Sequence, residues 1–353
     1  MGDVNTALFV NKRSKCSMRN FPIPQPSESE MLVQVLYSGM NPADLRHPKY
    51  LGIRDTVIGD DFCGRVIKSR SPKFERDDLI AGYTPVTIPR SAKYGTYQSY
   101  LCCPDNMCYR VPENLPREDA AALTVVAMTA ADALFNLFGL PLPTDPEKKP
   151  SGPLLVWGAS TSVGLCAVQY ARASDCETII VTASPERHEL LYKLGATHCF
   201  DYSSPTVVQD IQATLIAAQK GPLAWALDAV GSQQKPTSSD RIRQCATDKT
   251  VLASVVHRFN KRFKFPVAVT FMPFQLKPFG LPFKMTTPAR PKDHWRAWGV
   301  LAWAVANYGP DKAFHLPKVT VLEGTGEEVL QKAQAVAEGK GGFGKIVIKQ
   351  PFN

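Results

Sequence analysis

From Leu154 onward, short apolar runs alternate with helix-length stretches. Leu154–Trp157 reads as a strand and Val163–Ala173 as a helix. "TIIVTA" and "PERHELLYKLG" repeat the pair, as do "THCFDY" and "PTVVQDIQATLIAAQ", and "AWALDAV" adds another strand. A strand that returns parallel to its predecessor needs a long crossover, and a helix supplies it. The order therefore specifies an α/β fold: a Rossmann-type doubly wound parallel sheet with helices on both faces.

The remainder has a different texture. Up to residue 117 the runs "EMLVQVLYSGM", "DFCGRVIKS", "DLIAGYTPVTI" and "YQSYLCC" are short and strand-like. Pro, Gly and charged clusters separate them, as in a meander or barrel. "REDAAALTVVAMTAADALFNLFGL" is then long enough for one or two helices. Residues 141–153 read as a loop, and 271–294, with Pro273, Pro278, Pro282, Pro288 and Pro291, are the least legible stretch. A helix follows in which Trp295, Trp298, Leu301 and Trp303 fall on or near one face, the pattern of core packing. "GEEVLQKAQAVAEG" reads as a helix and "GKIVIKQ" as a closing strand.

At 353 residues two domains are expected, and 44% hydrophobic with 21% charged residues describes an ordinary globular chain. No apolar run approaches the roughly 18 residues of a membrane span. "TALFV" precedes the first basic residues, the wrong order for a secretory signal. Nine scattered cysteines imply reduced thiols and a cytoplasmic setting. Cys102, Cys103 and Cys108 lack paired C-x-x-C spacing and no histidines stand at ligand spacing, so no metal site is expected. Met1-Gly2 through Thr6 fits a loose myristoylation pattern, read here as coincidence because Asp3 lies beside the acceptor glycine.

The net charge of +9 calls for an acidic partner or an anionic ligand. Cations gather at Lys12, Arg13, Lys15 and Arg19, and again at Lys261, Arg262, Lys264, Lys277 and Lys284. Phe259, Phe263, Phe265 and Phe274 interleave the second group, as in a nucleic-acid strip. A solvated face with its aromatics turned inward explains the same pattern and is preferred.

"GASTSVG", after the strand at Leu154, has the form of a phosphate cradle. Gly158 permits a tight turn and Gly164 lets the helix pack closely on the strand. Thr161 stands where a middle glycine is usual, and its hydroxyl is expected to donate to a phosphate oxygen. Backbone N–H groups at the helix start favour an anion. "TIIVTA" ends at Ala183 and Ser184 without a carboxylate, and Arg187 follows. A hydroxyl and a guanidinium in place of an acid favour NADP(H) over NAD(H).

These features come together in a resemblance. Asn41-Pro42-Ala43-Asp44 matches N-P-x-D, and Gly59-Asp60-Asp61-Phe62-Cys63-Gly64-Arg65-Val66 matches G-x-D-x-x-G-x-V. "GTYQSYLCCPDNMCYRVPENLPREDAAALTVVAMTA", "LGATHCFDY", "ALDAVG" and "GKIVIK" follow in order. The set resembles the zinc-free branch of the medium-chain dehydrogenase/reductase superfamily, from near Pro24 to the end. Zinc members carry Cys where this chain has Asn41 and His-Glu where it has Asp60-Asp61. "GASTSVG", "TASPERH" and the proline-rich stretch look most like the fungal trans-acting enoyl reductases.

The resemblance implies a GroES-like catalytic domain over 1–117, a Rossmann NADP(H) domain over 118–313, and a return segment, 314–353, that completes the first. It implies reduction by NADPH of the α,β-double bond of a polyketide thioester on an acyl carrier protein of a partner polyketide synthase. Neither nucleic acid nor membrane is expected, and the state is monomer or homodimer. Ser160, Thr161, Ser162 and Val163 would line the pyrophosphate, and Ser184, Arg187 and Tyr202 the 2′-phosphate. Asn41 and Asp44 would organise the floor beneath the nicotinamide, Val230 and Gly231 would lie near its ring, and Lys345 would reach the cofactor. Hydride would add at the β-carbon and a proton at the α-carbon, with Tyr50 or water as donor. Arg46 would steady the thioester or enolate oxygen, or stand exposed after its turn. Asp61 is expected to accept hydrogen bonds from backbone at a turn. The same scaffold also suits a quinone oxidoreductase, a non-redox relative, or a non-catalytic NADPH-binding protein.

Overall fold

The computed structural model describes residues 4–145, 147–258, 260–277 and 283–353. Met1, Gly2 and Asp3 of the acylation pattern, and Phe259, Pro278 and Pro282, lie outside the described residues.

The chain opens with β1 (Asn5–Val10), β2 (Cys16–Phe21), β3 (Glu30–Gly39), α1 (Pro42–Arg46), β4 (Thr56–Val57), β5 (Asp61–Ser69), β6 (Leu79–Tyr83), β7 (Tyr100–Pro104) and β8 (Cys108–Arg110). After α2 (Arg117–Ala131) come β9 (Leu154–Trp157), α3 (Ser162–Ala173), β10 (Ile179–Ala183), α4 (His188–Leu194), β11 (His198–Asp201), α5 (Val207–Ala218) and β12 (Trp225–Asp228). Then follow α6 (Ser238–Cys245), β13 (Val251–Ser254), β14 (Phe263–Lys264), β15 (Phe274–Leu276), β16 (Met285–Thr287) and α7 (Pro291–Ala306). β17 (Val319–Leu322), α8 (Gly326–Ala337) and β18 (Lys345–Lys349) close the chain.

Two compact units result: Met1–Val125 with Val269–Arg290 and Pro317–Asn353, and Val126–Ala268 with Pro291–Leu316. The first boundary falls inside α2 rather than at 117/118. The segment Val269–Arg290, expected within the 118–313 domain, is part of the first unit. Lys277 N there donates to Leu51 O at 2.9 Å, a long-range bond that no local pattern announces.

In the second unit the strands lie in the order β11-β10-β9-β12-β13-β14 with every neighbour parallel. Counted along this unit that order is 3-2-1-4-5-6, the Rossmann arrangement, whose order reverses between β9 and β12. Trp157 and Asp228, the last residues of those two strands, are register partners. β9 and β10 are buried throughout, as a sheet covered on both faces requires. Leu155, Ile180, Ile211, Leu223, Ile242 and Leu252 form the core on one face.

In the first unit the sheet runs β17-β18-β3-β5-β6-β8, with β7 also on β3, beside a smaller sheet β2-β1-β4. Register shifts at Leu32/Val33 and Val35/Tyr37 mark irregularities that curve β3 against β5. β18 pairs antiparallel with β3, Val347 facing Gly39, so the return segment completes the GroES-like sheet.

Two expectations change, and a third, that the aromatics of the second cationic group turn inward, holds at Phe263. The buried side of α7 is His294, Ala297, Val300, Leu301, Ala304 and Val305, while Trp295 is 47% exposed. The helical period places Trp295 opposite that face, so the tryptophans do not form one core stripe. Arg117–Leu137 is long and apolar enough to cross a membrane by length and composition, contrary to the reading that no run approaches a span. Its most apolar window is 78% buried, as in the core helix of a globular protein. The second cationic group is also no single strip. Phe263 is core, Lys264 Nζ donates to Leu137 O at 2.8 Å, and Arg262 donates to Thr247 O at 2.6 Å. Lys277 and Lys284 belong to the other unit.

Candidate functional site

β9 ends at Trp157, and Gly158 turns the chain at φ +82°. A Cβ at this position would stand 2.9 Å from Val230 Cβ, so both conformation and space require glycine. Gly158 N donates to Thr182 Oγ1 at 3.0 Å and Ala159 N to Thr182 O at 2.9 Å, which fastens the turn to β10. A Cβ on Gly164 would lie 2.6 Å from Gly158 O, so the first turn of α3 sits directly on the loop backbone.

Thr161 caps α3 instead of pointing its hydroxyl outward. Oγ1 accepts from Gly164 N at 3.1 Å and donates to Ala229 O at 3.1 Å. Its expected hydrogen to a phosphate is thus already used, and it ties the β9 turn to the β12 turn. Ser160, Ser162 and Val163 are partly exposed. The N–H groups of Ser162 and Val163 have no acceptor among the described residues, which leaves two donors at a helix N-terminus of positive potential.

The neighbouring strand ends gather the second set. Ala183 pairs with Asp201, so Ser184 and Tyr202 leave adjacent strands side by side. Arg187 N donates to Ser184 O at 2.9 Å in the short turn between them and α4. Ser184 and Arg187 are partly buried and Tyr202 is 48% exposed. Asp201, absent from the sequence reading, is occupied locally. Hydrogen bonds from Ser203 Oγ at 2.7 Å and Ser203 N at 2.9 Å hold its carboxyl below the usual range.

The sequence reading also missed the device at the end of β12. Asp228 is fully buried, its Oδ1 accepting from Gly231 N at 2.8 Å. Oδ2 accepts from Ser254 Oγ and from Arg258, each at 2.9 Å. Arg258 also donates to Ser232 O at 3.0 Å, so one buried ion pair shapes the turn 229–232. Val230 is left 42% exposed beside Gly158, and Gly231 holds φ +63°. The acid closing the apolar run "ALDAV" was the only visible signal.

The first unit brings Asn41, Asp44, Asp61, Tyr97 and Lys345 into one buried network. Lys345 Nζ donates to Asn41 Oδ1 at 2.7 Å and Met40 O at 3.0 Å, and stands 3.7 Å from Asp61 Oδ2. Asn41 Nδ2 donates to Asp61 Oδ2 at 2.9 Å, and Val125 N donates to Asp61 Oδ1 at 2.8 Å. Asp44 Oδ2 accepts from Asn41 N and from Tyr97 Oη, both at 2.7 Å. Asp61 therefore accepts from backbone, though from a residue inside α2 instead of a turn, and it is also the counter-ion of Lys345. Burial pushes its carboxyl up to about 6, against the pull of Lys345 and Asn41. Burial and the Asp60 charge raise Asp44 well above the ordinary range.

Four expected roles change with these contacts. Lys345, 4% exposed, turns its ammonium into the floor of its own unit instead of reaching outward. Asn41 and Asp44, 5% and 2% exposed, bond to that floor and cap α1 through the Asn41 amide and Asp44 Oδ2, so they position rather than touch. Arg46 bonds Ala337 O through Nε at 3.0 Å and Nη2 at 2.6 Å, so it caps α8 instead of facing a thioester. Tyr50 is 51% exposed with Lys49 5.2 Å over its ring, and is not part of the network. Arg46→Ala should cost about 1.5–3 kcal/mol of stability in urea denaturation and leave turnover unchanged. A variant that is equally stable but slow would return Arg46 to the chemistry.

The donor set does not fit zinc. At the ligand positions of the zinc enzymes an ammonium already neutralises Asp61, Asn41 is bonded at both ends, and Asp60 lies 3.1 Å from Arg90 Nη1. No three His, Cys, Asp or Glu side chains cluster in metal-binding fashion among the described residues. Burial pushes the Cys102 thiol up to about 12, far from the thiolate a metal takes.

Comparison with known proteins gives the class first. A solved structure described as a putative zinc-dependent alcohol dehydrogenase of Rhizobium etli matches 99% of each chain at TM-score 0.73 and 22% identity. A family model described as zinc-binding dehydrogenase matches residues 162–262. This chain has the fold of that dehydrogenase.

Within that class its sequence resembles the fungal trans-enoyl reductases. One from Aspergillus japonicus is 30% identical over 208 residues, covering 58% of this chain and 59% of that one. Another, from Pyricularia oryzae, is 34% identical over 198 residues, covering 55% and 56%. The chain thus spans less than two thirds of the length of these curated relatives.

Proposed function

We propose that this protein is a cytoplasmic enoyl reductase acting in trans. It would use NADPH to reduce the α,β-double bond of a polyketide enoyl thioester carried on the acyl carrier protein of a partner synthase, in secondary metabolism. The likeness to trans-enoyl reductases carries the reading, and the geometry of the second unit agrees with it.

The cradle fits a dinucleotide. Gly158 and Gly164 clear the space that side chains would fill, and Ser162 N and Val163 N are available to a pyrophosphate. Ser184, Arg187 and Tyr202 stand at the ends of β10 and β11, suited to a 2′-phosphate in place of the ribose hydroxyls. Bound there, the nicotinamide supplies the hydride. This chain's residues do the rest by holding: the Asp228–Arg258 pair keeps Val230 against Gly158, and the Thr161 hydroxyl locks the β9 and β12 turns together. Nothing buried in the Asn41–Asp61–Lys345 network is free to deliver a proton outward, so water supplies the proton at the α-carbon.

The test is NADPH oxidation with a crotonyl thioester, with a small quinone as control. Turnover of the thioester is expected. Arg187→Ala should raise the KM for NADPH about tenfold or more while leaving that for NADH nearly unchanged. Turnover of the quinone alone would make the protein a quinone oxidoreductase, and a KM loss shared by both cofactors would remove Arg187 from the 2′-phosphate site.

A further inference from the structure

The first unit has a basic corner that sequence order conceals. Residues 11–15 connect β1 to β2, and Asn11 Oδ1 accepts from Arg13 N at 2.8 Å and Lys15 N at 3.0 Å. Ser14, at φ +60°, completes a loop held in one shape that exposes Lys12, Arg13 and Lys15. Ser14 Oγ donates to Pro48 O at 3.3 Å, and Arg54 Nε donates to the same carbonyl at 2.6 Å. Lys277 N donates to Leu51 O at 2.9 Å, and pairing of Leu276 with Met285 sets Lys284 opposite Lys277. Three segments far apart in sequence thus bring Lys12, Arg13, Lys15, Lys49, Arg54 and Lys277 to one corner.

Among the described residues no carboxylate is paired with these cations. Residues 11–20, 47–55 and 269–290 contain one acid, Asp55. Several surface cations elsewhere sit on carboxylates: Lys73 on Asp105, Arg110 on Asp78, Lys193 on Glu189 and Lys220 on Glu177, at 2.7–3.0 Å. Among the described residues Lys12, Arg13, Lys15, Lys49 and Lys277 have no such partner. Tyr50, 51% exposed with Lys49 over its ring, adds apolar surface beside these cations. Clustered, uncompensated cations beside an exposed aromatic suit a small acidic protein domain, which relieves the repulsion on docking.

We propose that this corner docks the acidic carrier domain that presents the thioester; the partner's identity rests on the enoyl-reductase reading, the acidity of the partner on the corner alone. The carrier carboxylates would pair with the loop cations, and their attraction would act mainly on encounter.

The test uses the full chain and a triple variant, Lys12→Glu with Arg13→Glu and Lys15→Glu. Crotonyl groups are supplied on an acidic acyl carrier protein and, separately, on N-acetylcysteamine. The variant should raise the KM for the carrier-borne substrate about tenfold or more, with kcat and the free-thioester kinetics unchanged. Added salt should weaken only the carrier reaction of the wild type. Equal kinetics on the carrier substrate, or a parallel loss on both substrates, would overturn the proposal. If the wild type reduces neither thioester, the enzymatic reading fails, and binding of the labelled carrier protein by fluorescence anisotropy decides the docking. Salt-sensitive binding lost in the variant upholds it; no binding, or tighter binding of a single-stranded RNA, overturns it.

Discussion

Replacing Lys345 by methionine should destabilise the protein by about 3–5 kcal/mol, a large part of the 5–15 kcal/mol that about any domain has to lose. The ammonium is buried between Asn41 Oδ1, Met40 O and Asp61, and its removal leaves Asp61 in a low-dielectric site with one attraction fewer. The cost should depend on pH. In the wild type, Asp61 is raised from an ordinary carboxyl value to about 6 in the folded state. A raised acid binds its proton more tightly when folded, so its contribution is complete below the unfolded pKa and is lost as pH rises to about 6. Without Lys345, the charge that most lowers Asp61, the folded pKa moves higher and the loss continues past that point. Urea denaturation at several pH values should show the difference between wild type and variant widening above pH 6, and Asp61→Asn should flatten the wild-type slope. A difference independent of pH would mean that Lys345 acts by packing alone.

Asp228→Ala should be as damaging in the other unit, at about 3–5 kcal/mol. It leaves the Arg258 guanidinium, 10% exposed, without its anion, and removes the acceptors of Gly231 N and Ser254 Oγ. The turn 229–232 loses its restraint, and Val230 no longer has a fixed place beside Gly158. NADPH affinity, measured by fluorescence titration, should fall about tenfold or more, because small displacements at a reacting centre are costly. Asp228→Asn keeps one acceptor, for Gly231 N, and presents an amide N–H that Ser254 Oγ can accept, but it loses the charge opposite Arg258, so it should lie between wild type and alanine in stability. An alanine variant of undiminished stability would show that water, not the pair, shapes this turn.

These two expectations rest on residues of unequal legibility. Lys345 drew notice through a motif, yet its partner Asn41 is 304 positions away, and only the pairing of β18 with β3 brings them together. Asp228 and Arg258 carried no signal beyond a lone acid after an apolar strand. Arg46 and Thr161 were recognised as polar residues near a site, but side chains that cap helices satisfy the same local pattern as side chains that face a ligand. The direction of a hydroxyl or guanidinium follows from which carbonyl lies nearby, and Ala337 O and Ala229 O are distant in sequence.

The alternation of apolar runs was enough to specify the parallel sheet, because strand, crossover and strand allow few arrangements. Its glycines located the cradle, because only glycine tolerates φ +82° at Gly158 and backbone against Cα at Gly164. Those constraints are local, acting over a few residues, and the sequence by itself displays them. The floor at Asn41, the ion pair that shapes the β12 turn, and the gathering of three separate loops into one cationic corner depend instead on chain closure over tens to hundreds of residues. Burial and pairing at such distances are properties of the packed units, so only the tertiary structure decided them.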